Sequence, residues 1–154
     1  MKTKKILVAE GEPQIRELYK AGLEREGYKV VCASRMEETL EKIREEDPDL
    51  VVLDMGIPAE GGIETLSQIV REHETLPVIL TSRYRFCDES FVIWLAEAWI
   101  FKSSNLTELK RAIRRVFSRT AFREKNKERS CAQPREEVDW SGTGYKQGGL
   151  TRTF

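Results

Sequence analysis

Leu50-Val51-Val52-Leu53-Asp54 is a run of aliphatic residues that ends on a carboxylate and follows Pro48-Asp49. An unbroken aliphatic run of this length reads as a strand buried on both faces, as in a parallel sheet. Burial gives no reason for the acid at its end. In open α/β sheets, however, the carboxyl ends of the strands are where ligands and chemistry gather. Three further runs end in the same way: Ile6-Leu7-Val8-Ala9 leads into Glu10, Val78-Ile79-Leu80 into Thr81-Ser82, and Trp99-Ile100-Phe101 into Lys102. Two acids, a pair of hydroxyls and an amine would then share one edge.

Between these runs the apolar spacing turns helical. Ile15, Leu18, Tyr19, Gly22 and Leu23 follow Pro13, a residue suited to a first helical turn, and predict a helix from about Pro13 to Glu26 that Gly27 ends. Lys29–Ala33 reads as a short strand. Ser34 and Glu37 form a capping box for a helix carrying Met36, Leu40 and Ile43, and Gly61-Gly62 opens a loop before a helix carrying Leu66, Ile69 and Val70. Asp88 can cap a helix through Phe91, Leu95 and Ala96, and Asn105, with Glu108 three residues on, caps the last one. Five repetitions of strand then helix imply an α/β domain over residues 4–119, a doubly wound five-stranded parallel sheet with helices on both faces. From Thr120 to Phe154 apolar residues thin out, the composition of a disordered tail.

Composition removes several functions. The 154 residues include 26 basic and 26 acidic ones, so the zero net charge gives no overall pull toward nucleic acid or anionic membrane. Arg111, Arg114, Arg115, Arg119, Arg123, Lys125, Lys127 and Arg129 make a local basic stretch, whose plainer reading is a solvated helix face. Cys32, Cys87 and Cys131 are odd in number and form no CxxC pair, which speaks against a disulfide framework or a thiolate metal site and fits a cytoplasmic setting. No apolar stretch reaches membrane-spanning length, and the one behind Met1–Lys5 stops at Ala9, too short for a signal-peptide core. His73, the single histidine, lies among charged residues and reads as solvated.

Val8-Ala9-Glu10-Gly11-Glu12-Pro13, then Leu53-Asp54-Met55-Gly56-Ile57-Pro58 with Gly61-Gly62, then Thr81-Ser82, then Lys102-Ser103-Ser104 stand in that order at strand ends. Over about Lys4 to Ser118 this ordered set resembles the CheY-like receiver domain of two-component response regulators, in the variant with Lys-Ser-Ser where most have Lys-Pro. The resemblance implies a flavodoxin-like fold and a phosphoacceptor, Asp54, that takes a phosphoryl group from a histidine kinase, a phosphotransfer protein or a small phosphodonor. It implies Mg²⁺ held by Glu10, Asp54 and the Gly56 carbonyl, with Glu12 a weaker candidate. Lys102 would pair with Asp54 and then with phosphoryl oxygen, Ser82 (or Thr81, one residue earlier) would be the switch hydroxyl, and Trp99 the coupled aromatic. Phe91, Trp94, Trp99, Lys110 and Arg114 fall on the family's partner face, through which receivers bind a downstream protein and often form homodimers. The implied chemistry is self-phosphorylation and slow dephosphorylation rather than classical enzymatic turnover.

Two departures bear on this expectation. Gly11 stands where the family has a second acid, commonly a direct metal ligand, which lowers the expected Mg²⁺ affinity. Arg83 stands where a small residue usually follows the switch hydroxyl. Both favour an alternative, a phosphorylation-independent receiver that serves as a protein-interaction module. Plainer readings stand beside each assignment: Asp54 as a turn cap before Gly56, Glu10 as an acid favoured by a helix dipole, Lys102 as a surface lysine, Thr81 and Ser82 as ordinary strand-end hydroxyls, and Trp99 as core. A nucleotide-binding α/β enzyme is disfavoured because neither Gly-rich phosphate fingerprint is present, and a DNA-binding regulator because no helix-turn-helix segment follows.

Overall fold

The computed structural model describes residues 2–59, 61–84 and 94–132, the last three by backbone alone. Five strands, β1 (Lys5–Ala9), β2 (Lys29–Ala33), β3 (Leu50–Asp54), β4 (Val78–Ser82) and β5 (Ala98–Phe101), form one parallel sheet in the order β2-β1-β3-β4-β5. Four helices are described: α1 (Pro13–Arg25), α2 (Met36–Glu46), α3 (Gly62–Glu72) and α4 (Thr107–Ala132). The helix expected around Asp88 and Phe91 falls outside the described residues, as do Cys87 and residues 133–154 of the expected tail. Trp94-Leu95 form a short 3₁₀ turn. The chain divides into a unit of Met1–Thr120, which holds the whole sheet, and a second from Ala121 onward.

The sheet separates two apolar layers, and strand periodicity assigns each side chain to one of them. Leu7, Val51, Leu53 and Leu80 pack with Met36, Leu40, Ile43, Leu66 and Ile69 of α2 and α3. Ile6, Val8, Leu50, Val52 and Ile79 pack with Tyr19 and Leu23 of α1 and Leu109, Ile113 and Val116 of α4. Every residue of β3 and β4 is buried, as the unbroken aliphatic runs imply. The strand order reverses between β1 and β3, so a crevice opens at their carboxyl ends.

Four details differ from the sequence reading. The Ser34 backbone N–H and hydroxyl both donate to Glu38 Oε2, at 2.8 and 2.9 Å, rather than pairing with Glu37, because α2 begins at Met36 with Arg35 in the cap position. Trp99 is 40% exposed, since β5 is an edge strand whose odd positions face away from the layers. The last helix continues past Arg119 to Ala132, a stretch rich in Ala, Arg, Lys and Glu with no Gly or Pro to stop it. His73 is not solvated at every atom: it ends α3 with Nε2 buried and without a hydrogen-bond partner among the described residues. Asn105, expected as the cap of the last helix, stands two residues before α4 begins, and its Oδ1 accepts from the Thr107 N–H at 3.0 Å.

Candidate functional site

Glu10 follows β1, Asp54 ends β3, and Thr81 and Ser82 end β4, with Asp54 level with Thr81 in the register. Lys102 follows β5, tied to β4 by its N–H bond to the Ser82 carbonyl at 2.7 Å. Its side chain runs back across the strand ends, and Nζ lies 2.9 Å from Asp54 Oδ1 and 2.8 Å from Glu10 Oε2. All three groups are buried: the Lys102 side chain is 6% exposed, while Glu10 and Asp54 as residues are 1% and 5% exposed. One ammonium thus serves two carboxylates in a setting where an unpaired charge would be costly.

The two carboxylates differ. Asp54 Oδ1 also accepts from the Gly56 N–H at 2.9 Å, which fixes the side chain against the turn after β3. Oδ2 has no partner among the described residues and is not sealed from solvent. Glu10 Oε1 accepts from the Glu12 N–H at 3.0 Å, whereas Oε2 is sealed with the Lys102 ammonium beside it. Burial pushes the Glu10 carboxyl above the usual carboxylate range, and the Asp54 charge adds to this, while the Lys102 ammonium and the Glu12 N–H pull it back.

The surrounding backbone is packed tightly enough to hold these positions. A Cβ on Gly62 would lie 2.5 Å from Met55 Cα and 2.8 Å from the Asp54 carbonyl oxygen, so only glycine lets α3 start directly beneath the β3 turn. Ser82 Oγ donates to the Tyr84 carbonyl at 3.0 Å and accepts from the Tyr84 N–H at 3.1 Å, so it is turned into its own loop. Thr81 Oγ1 is buried, and the Tyr19 phenol is its neighbour among the described residues. The pKa of that phenol is pushed up to about 12 by burial and by the charges of Glu10 and Asp54. Tyr19 is 2% exposed, and its place beneath the site could not be read from a helical spacing that it shares with plain core residues. Arg16 Nη1 donates to the Glu10 carbonyl at 2.8 Å, another contact that only the fold reveals.

Mg²⁺, which the resemblance implies, is commonly held by one or two carboxylates, with water and phosphate oxygens completing its shell. Glu10 and Asp54 supply two hard oxygen donors at the crevice, so the donor set fits a largely hydrated ion. Among the described residues no cluster of three His, Cys, Asp or Glu is present. Gly11 has no side chain to add, and Glu12, the weaker candidate, forms an ion pair with Arg83. Of the expected partner face, Trp94 and Trp99 are exposed and Phe91 lies outside the described residues.

Residues 6–114 match the family model for the response regulator receiver domain. The chain belongs to that family. As a receiver it is similar to the transcriptional regulatory protein CpxR of Escherichia coli K12, 31% identical over 136 residues, which is 88% of this chain and 58% of CpxR. It is also similar to the alkaline phosphatase synthesis regulator PhoP of Bacillus subtilis, 43% identical over 77 residues, or 50% of this chain and 32% of PhoP. The receiver therefore spans only part of the length of these curated relatives. Among solved structures it resembles the response regulator TrrA of Thermotoga maritima bound to Mg²⁺ and beryllium fluoride, with 35% identity, a TM-score of 0.70, and 73% of this chain and 98% of that one covered. TrrA is also found in complex with the histidine kinase ThkA, there with a TM-score of 0.68, 35% identity and coverage of 73% and 97%. No described helix is long and apolar enough to cross a membrane.

Proposed function

We propose that this receiver works in two-component signalling by accepting a phosphoryl group on Asp54 and switching a protein-binding surface in response. The observation that carries this reading is the asymmetry of Asp54: Oδ1 is held by Lys102 and the Gly56 N–H, while Oδ2 has no partner among the described residues. Oδ2 attacks phosphorus, the bond from phosphorus to the donor breaks, and the leaving group departs with the electron pair, giving an acyl phosphate. For acetyl phosphate the leaving group is acetate. For a histidine kinase, the partner class suggested by the TrrA complex, it is the imidazole.

The chain's own residues orient and neutralise. Lys102 is placed to follow the developing phosphoryl charge, and Glu10 holds the ammonium from the other side. Bound at Glu10, Asp54 and the Gly56 carbonyl, Mg²⁺ would neutralise charge between carboxylate and phosphoryl oxygens. Ser82 reads the new group by leaving its turn at Tyr84, a small rearrangement of the kind that converts added charge and acceptor oxygens into a surface change. The surface is the exposed aromatic ground around Trp94 and Trp99, which suits a downstream protein or a second copy of the domain. A cytoplasmic location fits a partner that is a kinase and three cysteines without a CxxC pair.

The test is intact mass after incubation with acetyl phosphate, with and without Mg²⁺, on the wild type and Asp54→Asn. A Mg²⁺-dependent gain of one phosphoryl group, absent from the variant, supports the reading. No gain, with a control receiver labelled in parallel, favours the alternative of a phosphorylation-independent interaction module, which Gly11 and the engagement of Glu12 by Arg83 already favour.

A further inference from the structure

Glu12 and Arg83 meet over the site. In the sheet β3 lies between β1 and β4. A contact between the turn after β1 and the turn after β4 therefore passes across the carboxyl end of β3, where Asp54 sits. Arg83 Nη2 donates to Glu12 Oε2 across that gap. Both side chains are about half exposed, at 53% and 46%. Each foot of the contact is tied to a residue of the site: the Glu12 N–H donates to Glu10 Oε1, and Arg83 follows Ser82, which is locked to Tyr84.

The Glu12 carboxylate has another use open to it. Glu12 is the N-cap residue of α1, yet its side chain makes no capping bond, and the first turn of α1 contains no other acid. The carboxylate that would serve the helix end instead holds Arg83. Among the described residues around Asp54, Lys102 is committed to two carboxylates and Arg16 to the Glu10 carbonyl. An arriving phosphodonor is a multiply charged anion and needs a group to receive it. A guanidinium offers paired donors that match phosphoryl oxygens.

Building on the phosphoacceptor reading, we propose that the Arg83–Glu12 ion pair is a strap across the mouth of the Asp54 site. It opens for the phosphodonor, and Arg83, released from Glu12, becomes the positioning residue for the incoming phosphoryl anion. Because the pair is exposed, it is cheap to open. Because Arg83 adjoins Ser82, opening the strap loosens the same turn that must rearrange when the phosphoryl group is read.

The experiment follows labelling of the full chain by intact mass over a series of acetyl phosphate concentrations at saturating Mg²⁺, for the wild type, Glu12→Gln, Arg83→Lys and Arg83→Ala. Glu12→Gln frees the guanidinium, so the half-saturating concentration falls about two- to fivefold, the span over which breaking an exposed ion pair shifts a two-state equilibrium. Arg83→Ala loses strap and cation together and half-saturates at a higher concentration than Glu12→Gln, with Arg83→Lys between them. Labelling at Asp54 with one concentration dependence in wild type and Glu12→Gln, or Arg83→Ala labelling as readily as Glu12→Gln, overturns the strap alone. No labelling of any form, beside a labelled control receiver, overturns the phosphoacceptor reading and the strap with it.

Discussion

Replacing Lys102 with Met removes the one cation that two buried carboxylates share. In the native domain Nζ touches Asp54 Oδ1 at 2.9 Å and Glu10 Oε2 at 2.8 Å, which keeps the carboxylates within about 6 Å of one another, close enough for the Asp54 charge to push the Glu10 carboxyl up. Met fills the volume of the lysine stem but leaves both acids without a counter-charge, so the cost at pH 8 is about 3–5 kcal/mol, that of breaking a buried ion pair by deleting one partner. The cost depends on pH in a definite direction. The Glu10 carboxyl already sits above its ordinary value of 4.5 in the fold, so its contribution is present in full below that value and is lost as pH rises through the folded pKa. Without Lys102 that folded pKa climbs further, and the variant is closest to wild type in acid and weakest at pH 8. Urea unfolding followed by far-UV circular dichroism at pH 5 and pH 8 measures this directly. Adding Glu10→Gln should recover most of the loss at pH 8. A Lys102→Met protein within about 0.5 kcal/mol of wild type at both pH values, the noise of a neutral surface change, would refute the shared counter-ion account.

Gly62→Ala should destabilise by about 1–3 kcal/mol in the same urea assay, because the new methyl meets rigid backbone at Met55 and Asp54 rather than a side chain that can turn away. It should also slow labelling of Asp54 by acetyl phosphate. Ser82→Ala should cost less than about 1 kcal/mol, since the Tyr84 N–H it leaves lies on an exposed residue that water can reach. Tyr19 stabilises the fold fully below the ordinary phenol pKa of 10.0, and that contribution is lost as pH rises toward about 12. Wild type should therefore lose stability across that alkaline window, and Tyr19→Phe should flatten the loss, as read by urea midpoints from pH 9 to 12.

The strands were legible because each is an aliphatic run long enough to cross the sheet, and a carboxylate or amine at the end of such a run has no packing reason to be there. That placed Glu10, Asp54 and Lys102 before any coordinates. What brings them together is long range. The bridging of both acids by one ammonium depends on the path of the Lys102 stem across β4, and the meeting of Arg83 with Glu12 depends on a strand order that local spacing does not encode. Ser34 with Glu37 reads as a capping box because a three-residue spacing is the usual signature, whereas the helix begins one residue later than that signature assumes. Trp99 reads as core from its composition, yet it lies on an edge strand with one side uncovered. The length of α4 beyond Arg119 is a matter of helix propensity without burial, to which apolar periodicity is blind.

The site carries two electrostatic contacts that differ in their access to water. The Lys102 contacts are buried, where salt screens weakly, while the Arg83–Glu12 pair stands in solvent. Screening acts over about 8 Å at 0.15 M salt and about 3 Å at 1 M, and it reaches exposed pairs far more than buried ones. Raising ionic strength therefore loosens the outer contact while the inner one keeps its strength.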